Sequence, residues 1–550
     1  MATPAPAPVR YVPNATGAST PAYQKVRETA KAMVVEGRSE EALDFALTAL
    51  AAVLQKSREL ELLLAKMRRA QAGKTTERVN PEQMALLFEE LVAQLGAEPE
   101  DLDPEAEVRA DAQLEAEIEA AREARADAQP KPSPGWRTRD VAKEVHHVEV
   151  PFEDRTCARC GGEQSRIGED VSRILEYVPA HFVEHEYHLE KWACGRCKRG
   201  VTTAPGPDKV IKRSAAGASL LAHVVVSKYA DHTPLHRLHR IYDRSGATIP
   251  VSTLSDWVGE VGSLVEPLVE RLEARIVRDA YVVRTDATGL KVLDPESPEN
   301  VERGTFWCMV GDDRDVVFRY TPTGEGATGP WSYLAGRRGY IQADAAGVFD
   351  RLFNGVAASA IEVGCWSHAR RRFVALQDTD CRVAYPIKLI GRLYRIEKLA
   401  DAKDLSAPER TELRRTRSRP VLDTLQRWLL TTTFKETPRS ELAQAAAYVL
   451  NHWTALTRFV EDGLLSLDNN LCERQIRDIA LGRRNYLFSG SHAAARHSAA
   501  IYSLLRTAAL HGVAPLPYLT DALTKLAAGS DPDRLDELLP DRWRPGPAPP

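Results

Sequence analysis

Tyr281-Val-Val-Arg-Thr-Asp286 and Tyr340-Ile-Gln-Ala-Asp344 are two short runs of β-branched, aromatic and apolar residues, each ending in an aspartate, the aspartates 58 positions apart. Runs of this length and composition read as strands. Working outward, Gly289-Leu-Lys-Val-Leu293 reads as a returning strand. Gly304-Thr-Phe-Trp-Cys-Met-Val310 and Val316-Val-Phe-Arg-Tyr320 flank the polar turn Gly311-Asp-Asp-Arg-Asp315, so these segments are expected to be antiparallel neighbours. A short helix around Pro330–Leu334 precedes the second aspartate. A helix near Val348–Phe353, a strand at Ala360-Ile-Glu-Val-Gly364 and a basic helix from Trp366 follow it.

An antiparallel strand set followed by alternating helices and parallel strands is the order of a ribonuclease-H-like, integrase-type α/β core. In that order the strand ends at Asp286 and Asp344 lie side by side, within reach of shared metal. Two hard cations about 4 Å apart need oxygen ligands from more than one side, so a third carboxylate is expected from a later helix. Glu473 fits, in Asp468-Asn-Asn-Leu-Cys-Glu473-Arg-Gln-Ile-Arg477. There Asp468 or an Asn caps a helix that carries Glu473 in its first turns and Arg477 one turn on along the same face. Arg474, Arg477, Arg483 and Arg484 are candidates to hold phosphates beside the ions. His368, next to Arg370 and Arg371, either positions a scissile strand or is a satisfied structural histidine. Any one of the chain's 77 Asp and Glu is by itself most simply a solvated surface group; strand-end position for two, and a capped basic helix for the third, set these apart.

At 550 residues the chain spans several folded units. Residues 1–24 have the Ala/Pro/Thr composition of a disordered tail, and 25–97 carry helical periodicity, with Leu43, Leu47, Leu50 and Leu54 and then Met84, Leu87, Phe88, Leu91 and Leu95. The latter forms either a small antiparallel helical core or a dimerising coiled coil, and a homo-oligomer is expected. Residues 98–135 read as an acidic, partly helical linker. In 136–205, Cys157-Ala-Arg-Cys160 and Cys194-Gly-Arg-Cys197 are two knuckles 33 residues apart, with strand-like Ile174–Val178 and His181–Leu189 between them. Two such turns complete a closed four-thiolate structural Zn²⁺ site. Residues 206–277 read as a helix-turn-helix-like segment, in which Leu235, Leu238 and Ile241 face inward, Arg237, Arg240 and Arg244 face outward, and Ser252 opens a third helix as its cap. Generic helical packing accounts for the same residues. The core then occupies 278–378 and 462–515, split by a helical insertion over 379–461, with a C-terminal helix and tail over 516–550. In the insertion, Arg414, Arg415, Arg417 and Arg419 form either a DNA grip or a solvated face.

The charge balance, 73 Lys and Arg against 77 Asp and Glu for a net −4, gives no global positive field, so nucleic-acid binding is assigned to local patches. No run of 18 apolar residues and no signal-peptide pattern is present, and a cytoplasmic protein without membrane partner is expected.

Several of these motifs together resemble the transposases of the IS-sixty-six insertion-sequence family. They are the cysteine pairs with Gly168-Glu-Asp-Val, Ser219-Leu-Leu-Ala-His-Val-Val-Val-Ser-Lys-Tyr-Ala-Asp-His-Thr-Pro-Leu235, Gln342-Ala-Asp344, Cys365-Trp-Ser-His-Ala-Arg-Arg-Arg-Phe373, Asp468-Asn-Asn with Glu473-Arg474, and Ile501-Tyr-Ser-Leu-Leu-Arg-Thr-Ala-Ala-Leu-His-Gly-Val513. The resemblance implies a DDE triad at Asp286, Asp344 and Glu473, which the strand and helix context selects independently. It further implies two Mg²⁺ (or Mn²⁺) ions, binding to the terminal inverted repeats of a mobile element and to target DNA, and accessory proteins of the same element. The chain departs from the family pattern in Thr285-Asp-Ala-Thr288, where Asp-Glu-Thr is common, and in a basic proline-rich linker reduced to Lys131-Pro-Ser-Pro-Gly-Trp-Arg-Thr-Arg139. A structure-directed nuclease on the same fold, or a non-catalytic DNA-binding protein from a decayed element, are the competing readings.

Overall fold

The computed structural model describes residues 104–127, 181–193, 201–353, 360–437, 439–529 and 531–545, together with Val145, Arg159, Gly161 and Gly162. The N-terminal periodic segments, Ile174–Val178 and all four paired cysteines lie outside the described residues. The fold is mixed α+β, built on a mixed five-stranded sheet.

That sheet contains β3 (Val282–Leu293), β4 (Val301–Gly311), β5 (Asp315–Thr321), β6 (Gly339–Gln342) and β7 (Ala360–Val363), in the order β5-β4-β3-β6-β7. The first three are antiparallel, and β6 and β7 add in parallel on the other side of β3. The central strand is paired on both edges, and Val282-Val-Arg-Thr285 is buried without alternation.

One expectation is corrected here. Tyr281–Thr285 and Gly289–Leu293 are not two strands of a hairpin but halves of one twelve-residue strand, so Asp286 stands within β3 rather than at its end. Gly289, read as the first residue of a returning strand, sits opposite Thr305 within β3, and a Cβ there would meet the Arg303 guanidinium at 2.8 Å. The glycine serves a close cross-strand approach.

Edge strand β5 is closed by α15 (His492–Leu510). Ser503 Oγ accepts from Phe318 N at 2.8 Å, and Thr507 Oγ1 both accepts from Val316 N and donates to Val316 O at 3.0 Å. Side-chain hydroxyls thus satisfy edge backbone groups that a further strand would otherwise take. Another helix, α14 (Asn470–Tyr486), packs on β3 and β4.

Ahead of the sheet run α2 (Ala218–Tyr229), α3 (Leu235–Arg244), α4 (Val251–Leu264) and α5 (Glu266–Asp279). In α3, Arg237, Arg240 and Arg244 are exposed as expected, but the inward pair is Leu238 and Tyr242, one helical turn apart, and Ile241 is exposed. The Tyr242 hydroxyl is held by His223 Nδ1 at 2.6 Å, which lets a tyrosine fill the inward position expected for the isoleucine. Ser252 is not the cap of α4; Pro250 is, and Ser252 lies inside the first turn. Within His181–Leu189 no strand forms. The pairing comes later, between β1 (Lys191–Ala193) and β2 (Val201–Thr203), an antiparallel hairpin whose connecting segment contains Cys194 and Cys197. Two single-turn helices, α6 (Pro330–Tyr333) and α7 (Asp350–Phe353), flank β6 in sequence where short helices are expected.

The acidic linker holds a 24-residue helix, α1 (Pro104–Asp127), with Leu114 and Ile118 buried. In the expected insertion lie α9 (Ala384–Ala402), α10 (Ala407–Leu413), α11 (Arg419–Lys435), α12 (Glu441–Asn451) and α13 (Trp453–Thr457), with a π turn at Arg414–Ser418. By packing, the chain divides into two compact units, one comprising Met1–Asp111, Ala369–Arg392 and Asp423–Leu450, the other Ala112–His368, Leu393–Leu422 and Asn451–Pro550. In the first, Phe373 and Tyr385 pack against Trp428, and Arg382 bridges Asp380 and Glu436. The second contains the sheet. Among the described residues no helix is long and apolar enough to cross a membrane.

Candidate active site

The parallel register between β3 and β6 pairs Val282 with Tyr340, Val283 with Ile341 and Arg284 with Gln342. Two residues beyond Arg284 is Asp286, and two beyond Gln342 is Asp344. Side chains at i and i+2 share a face of a strand, so Asp286 shares the face of Arg284 within β3, while Asp344 lies two residues past the end of β6. Both are half-buried. Asp286 Oδ1 accepts from Ala287 N at 2.7 Å and Asp344 Oδ1 from Ala346 N at 3.1 Å, which fixes the plane of each carboxyl group.

The loop before α14 is tied to the same place. Asn469, fully buried, donates from Nδ2 to Thr285 O at 2.9 Å, and its own N–H bonds Cys365 Sγ at 3.2 Å. The helix therefore starts against the residue preceding Asp286, with Asn469 as N-cap and Asp468 Oδ1 accepting from Asn470 N at 3.0 Å. Glu473 lies in the first turn, its side chain 30 % exposed, with Oε1 3.7 Å from His368 Nε2 at the start of α8 (Trp366–Val374). The Cys472 thiol beside it is buried, and burial together with the Cys308 and Asp286 groups drives its pKa well up. It is thus a packing residue between helix and sheet.

Beneath the aspartates is a buried polar network that no motif in the sequence announces. Arg284 is 2 % exposed; its Nε donates to Gln342 Oε1 at 3.1 Å, one terminal nitrogen to Ser466 Oγ at 3.0 Å, and the other pairs with Asp313. Gln342 Nε2 in turn donates to Gly364 O and Ser466 O. Burial pushes the Arg284 pKa down. Charge and amide here tie β3, β6, the β7–α8 junction and the loop before α14 into one frame. The available signal was an arginine inside a strand run and a glutamine inside another, each two residues before an aspartate.

Other candidates separate. Arg474, Arg477 and Arg484 are exposed along α14. Arg483 is not a free phosphate ligand, since its guanidinium donates to Gly289 O and anchors the helix to β3. Arg414 is not a DNA grip. It is 1 % exposed, paired with Glu397 and donating to Phe459 O, Asp462 O and Leu465 O. Arg417 pairs with Glu117 of α1, while Arg415 and Arg419 are exposed. Arg370 lies half-buried and Arg371 exposed on α8. Asp286, Asp344 and Glu473 do not form a cluster with one oxygen from each within 4.8 Å of both others; among the described residues such a group is formed by Asp294, Glu302 and His492.

Comparison with known proteins places these elements. Residues 213–497, which include all three candidate carboxylates, match the model described as the transposase IS66 family. Residues 154–198, spanning all four paired cysteines, match the zinc-finger binding domain of transposase IS66, and 503–540 match the IS66 C-terminal element. The uncharacterized protein y4hP of Sinorhizobium fredii is 31 % identical over 513 residues, covering 88 % of each chain. The uncharacterized protein y4jD of the same organism is 33 % identical over 413 residues, 72 % of this chain and 80 % of that one. With its central, zinc-finger and C-terminal blocks all matched in order, the chain belongs to the IS66 family of transposases.

Proposed function

We propose that this chain is a DDE transposase on a ribonuclease-H-like core, in which Asp286, Asp344 and Glu473 hold two Mg²⁺ or Mn²⁺ ions and cut and join DNA. The observation that carries the reading is the convergence of two independent ties: the parallel β3–β6 pairing, whose last pair Arg284–Gln342 stands two residues before each aspartate, and the Asn469–Thr285 bond that starts the Glu473 helix beside Asp286. An all-oxygen donor set suits hard divalent ions. When bound, such ions lower the pKa of an attacking water and stabilise the leaving 3′ oxygen. Ligands of two ions about 4 Å apart need not touch one another.

The chain's own groups do the rest. Arg284 and Gln342 hold the strands that present the aspartates. His368, 3.7 Å from Glu473, positions that carboxylate. Arg474, Arg477 and Arg484 bind backbone phosphates along α14, and the zinc-finger domain with its structural Zn²⁺ and the basic face of α3 (Arg237, Arg240) contact the element's ends. A cytoplasmic homo-oligomer acting with accessory proteins of the element completes the reading.

The test is a labelled DNA carrying the element's ends, incubated with Mg²⁺ and either wild type or Asp344→Asn. Cleaved and joined products from wild type alone support the proposal. Cleavage without joining would make the protein a structure-directed nuclease, and DNA binding without chemistry, with accessory proteins supplied, a decayed DNA-binding protein.

A further inference from the structure

At the other end of the β3–β4 hairpin three potential ligands meet that the proposed chemistry does not use. Asp294 follows the last residue of β3, Glu302 is the second residue of β4, and His492 is the first residue of α15. Glu302 pairs with Val292 across the ladder, so Glu302 and Asp294 sit on one face as diagonal neighbours. His492 is brought there because Ser489 pairs with β3, donating to Lys291 O and accepting from Leu293 N at 2.9 Å each. One ligand atom from each of the three lies within 4.8 Å of the other two.

Two features set this cluster apart from an ordinary surface ion pair. His492 Nε2 stands 3.6 Å from both Asp294 Oδ2 and Glu302 Oε2. That is well beyond the roughly 2.8 Å of a charge-assisted hydrogen bond. It is close to the ~3.4 Å edge of a tetrahedron whose ligands lie about 2.1 Å from a central ion. The ring is also aimed: Nδ1 bonds Tyr320 Oη at 2.7 Å, the kind of outer partner that fixes a metal-binding imidazole. Room for that tyrosine is kept by Gly304, where a Cβ would lie 2.3 Å from the Tyr320 hydroxyl oxygen.

We propose that Asp294, Glu302 and His492 form a divalent transition-metal site that clamps the β3–β4 hairpin to the start of α15. One imidazole and two carboxylates favour a borderline ion such as Zn²⁺ over Mg²⁺. Asp294 is eight residues from Asp286 along one strand, ~26 Å at about 3.3 Å per residue, so the site is distinct from the candidate triad and does not depend on it.

The experiment compares full-length wild type, His492→Ala and Glu302→Gln, each with its zinc-finger domain loaded, by equilibrium dialysis against Zn²⁺ with the metal content measured per chain. Wild type is expected to hold one more equivalent than His492→Ala, and Glu302→Gln to bind that equivalent at least about tenfold more weakly. Cobalt substituted at this position should lack thiolate charge-transfer bands, which separates it from the cysteine site. Asp286→Asn should leave the extra equivalent in place. Because Glu302 is 42 % exposed, Glu302→Gln decides the matter even if His492→Ala does not fold. Equal metal content and equal affinity in wild type and Glu302→Gln overturn the proposal, as does an extra equivalent that disappears in Asp286→Asn.

Discussion

At the scale of single residues, the frame around the candidate site is made by polar groups in unusual places, and their cost is measurable. Lys228 on α2 sits over the rings of Tyr229 and Tyr486, 5.3 and 5.1 Å from their centroids, and burial pulls its pKa down to about 8. With the folded pKa below the unfolded value, the unfolded chain binds more protons between the two, so stability rises with pH from about 8 to about 10.5. The penalty is full below that window. Lys228→Met should therefore stabilise the protein at pH 7 by about 1–2 kcal/mol, the forgone cation–π attraction included, and flatten the alkaline rise; urea unfolding at pH 7 and 9.5 checks both. An unchanged pH slope would contradict the assignment. Asp286, Asp344 and Glu473 are legible as candidates because residue type, strand context and helix capping coincide at each. Arg284, Gln342 and the true role of Arg483 are not, because an arginine's partners are set by tertiary packing that no local pattern encodes.

Elements are legible where one periodicity runs unbroken. The strands β4, β5, β6 and β7 are located by their β-branched runs. Misreadings fall where a residue has two uses. Gly289 continues β3 rather than opening a returning strand, and Ile241 yields its inward place to a hydrogen-bonded Tyr242. The basic run Arg414–Arg419 looks uniform in sequence, yet the π turn at Arg414–Ser418 rotates Arg414 into the interior. Arg414→Met should cost about 3 kcal/mol, since three carbonyls and Glu397 lose a buried donor. Arg415→Met, one residue on and exposed, should stay within about 0.5 kcal/mol. Comparable losses in the two variants, by urea denaturation, would refute the buried role.

For the whole molecule, a net charge of −4 means that the proposed DNA binding has to rest on placed arginines rather than a global field. Replacing Arg474, Arg477 and Arg484 together by alanine should reduce the slope of log affinity against log salt by about 0.9 for each phosphate that an arginine no longer neutralises, or ~2.7 in all, measured by fluorescence anisotropy on duplex DNA. An unchanged slope would move the phosphate path off α14. The modular order, from paired cysteines through helices and sheet to a C-terminal helix, is legible in the sequence because each module has its own composition. The registration of distant segments is not, since Arg284, Gln342 and Ser466 meet only after folding. In the proposed mechanism Asp286 and Glu473 act as one unit across β3 and α14. Single-turnover cleavage of an element-end DNA in Mg²⁺ by Asp286→Asn, Glu473→Gln and the double variant tests it most directly. Each single change is expected to abolish nearly all activity, with the double no slower than the slower single; a Glu473→Gln protein that cleaves at the wild-type rate would refute the shared role.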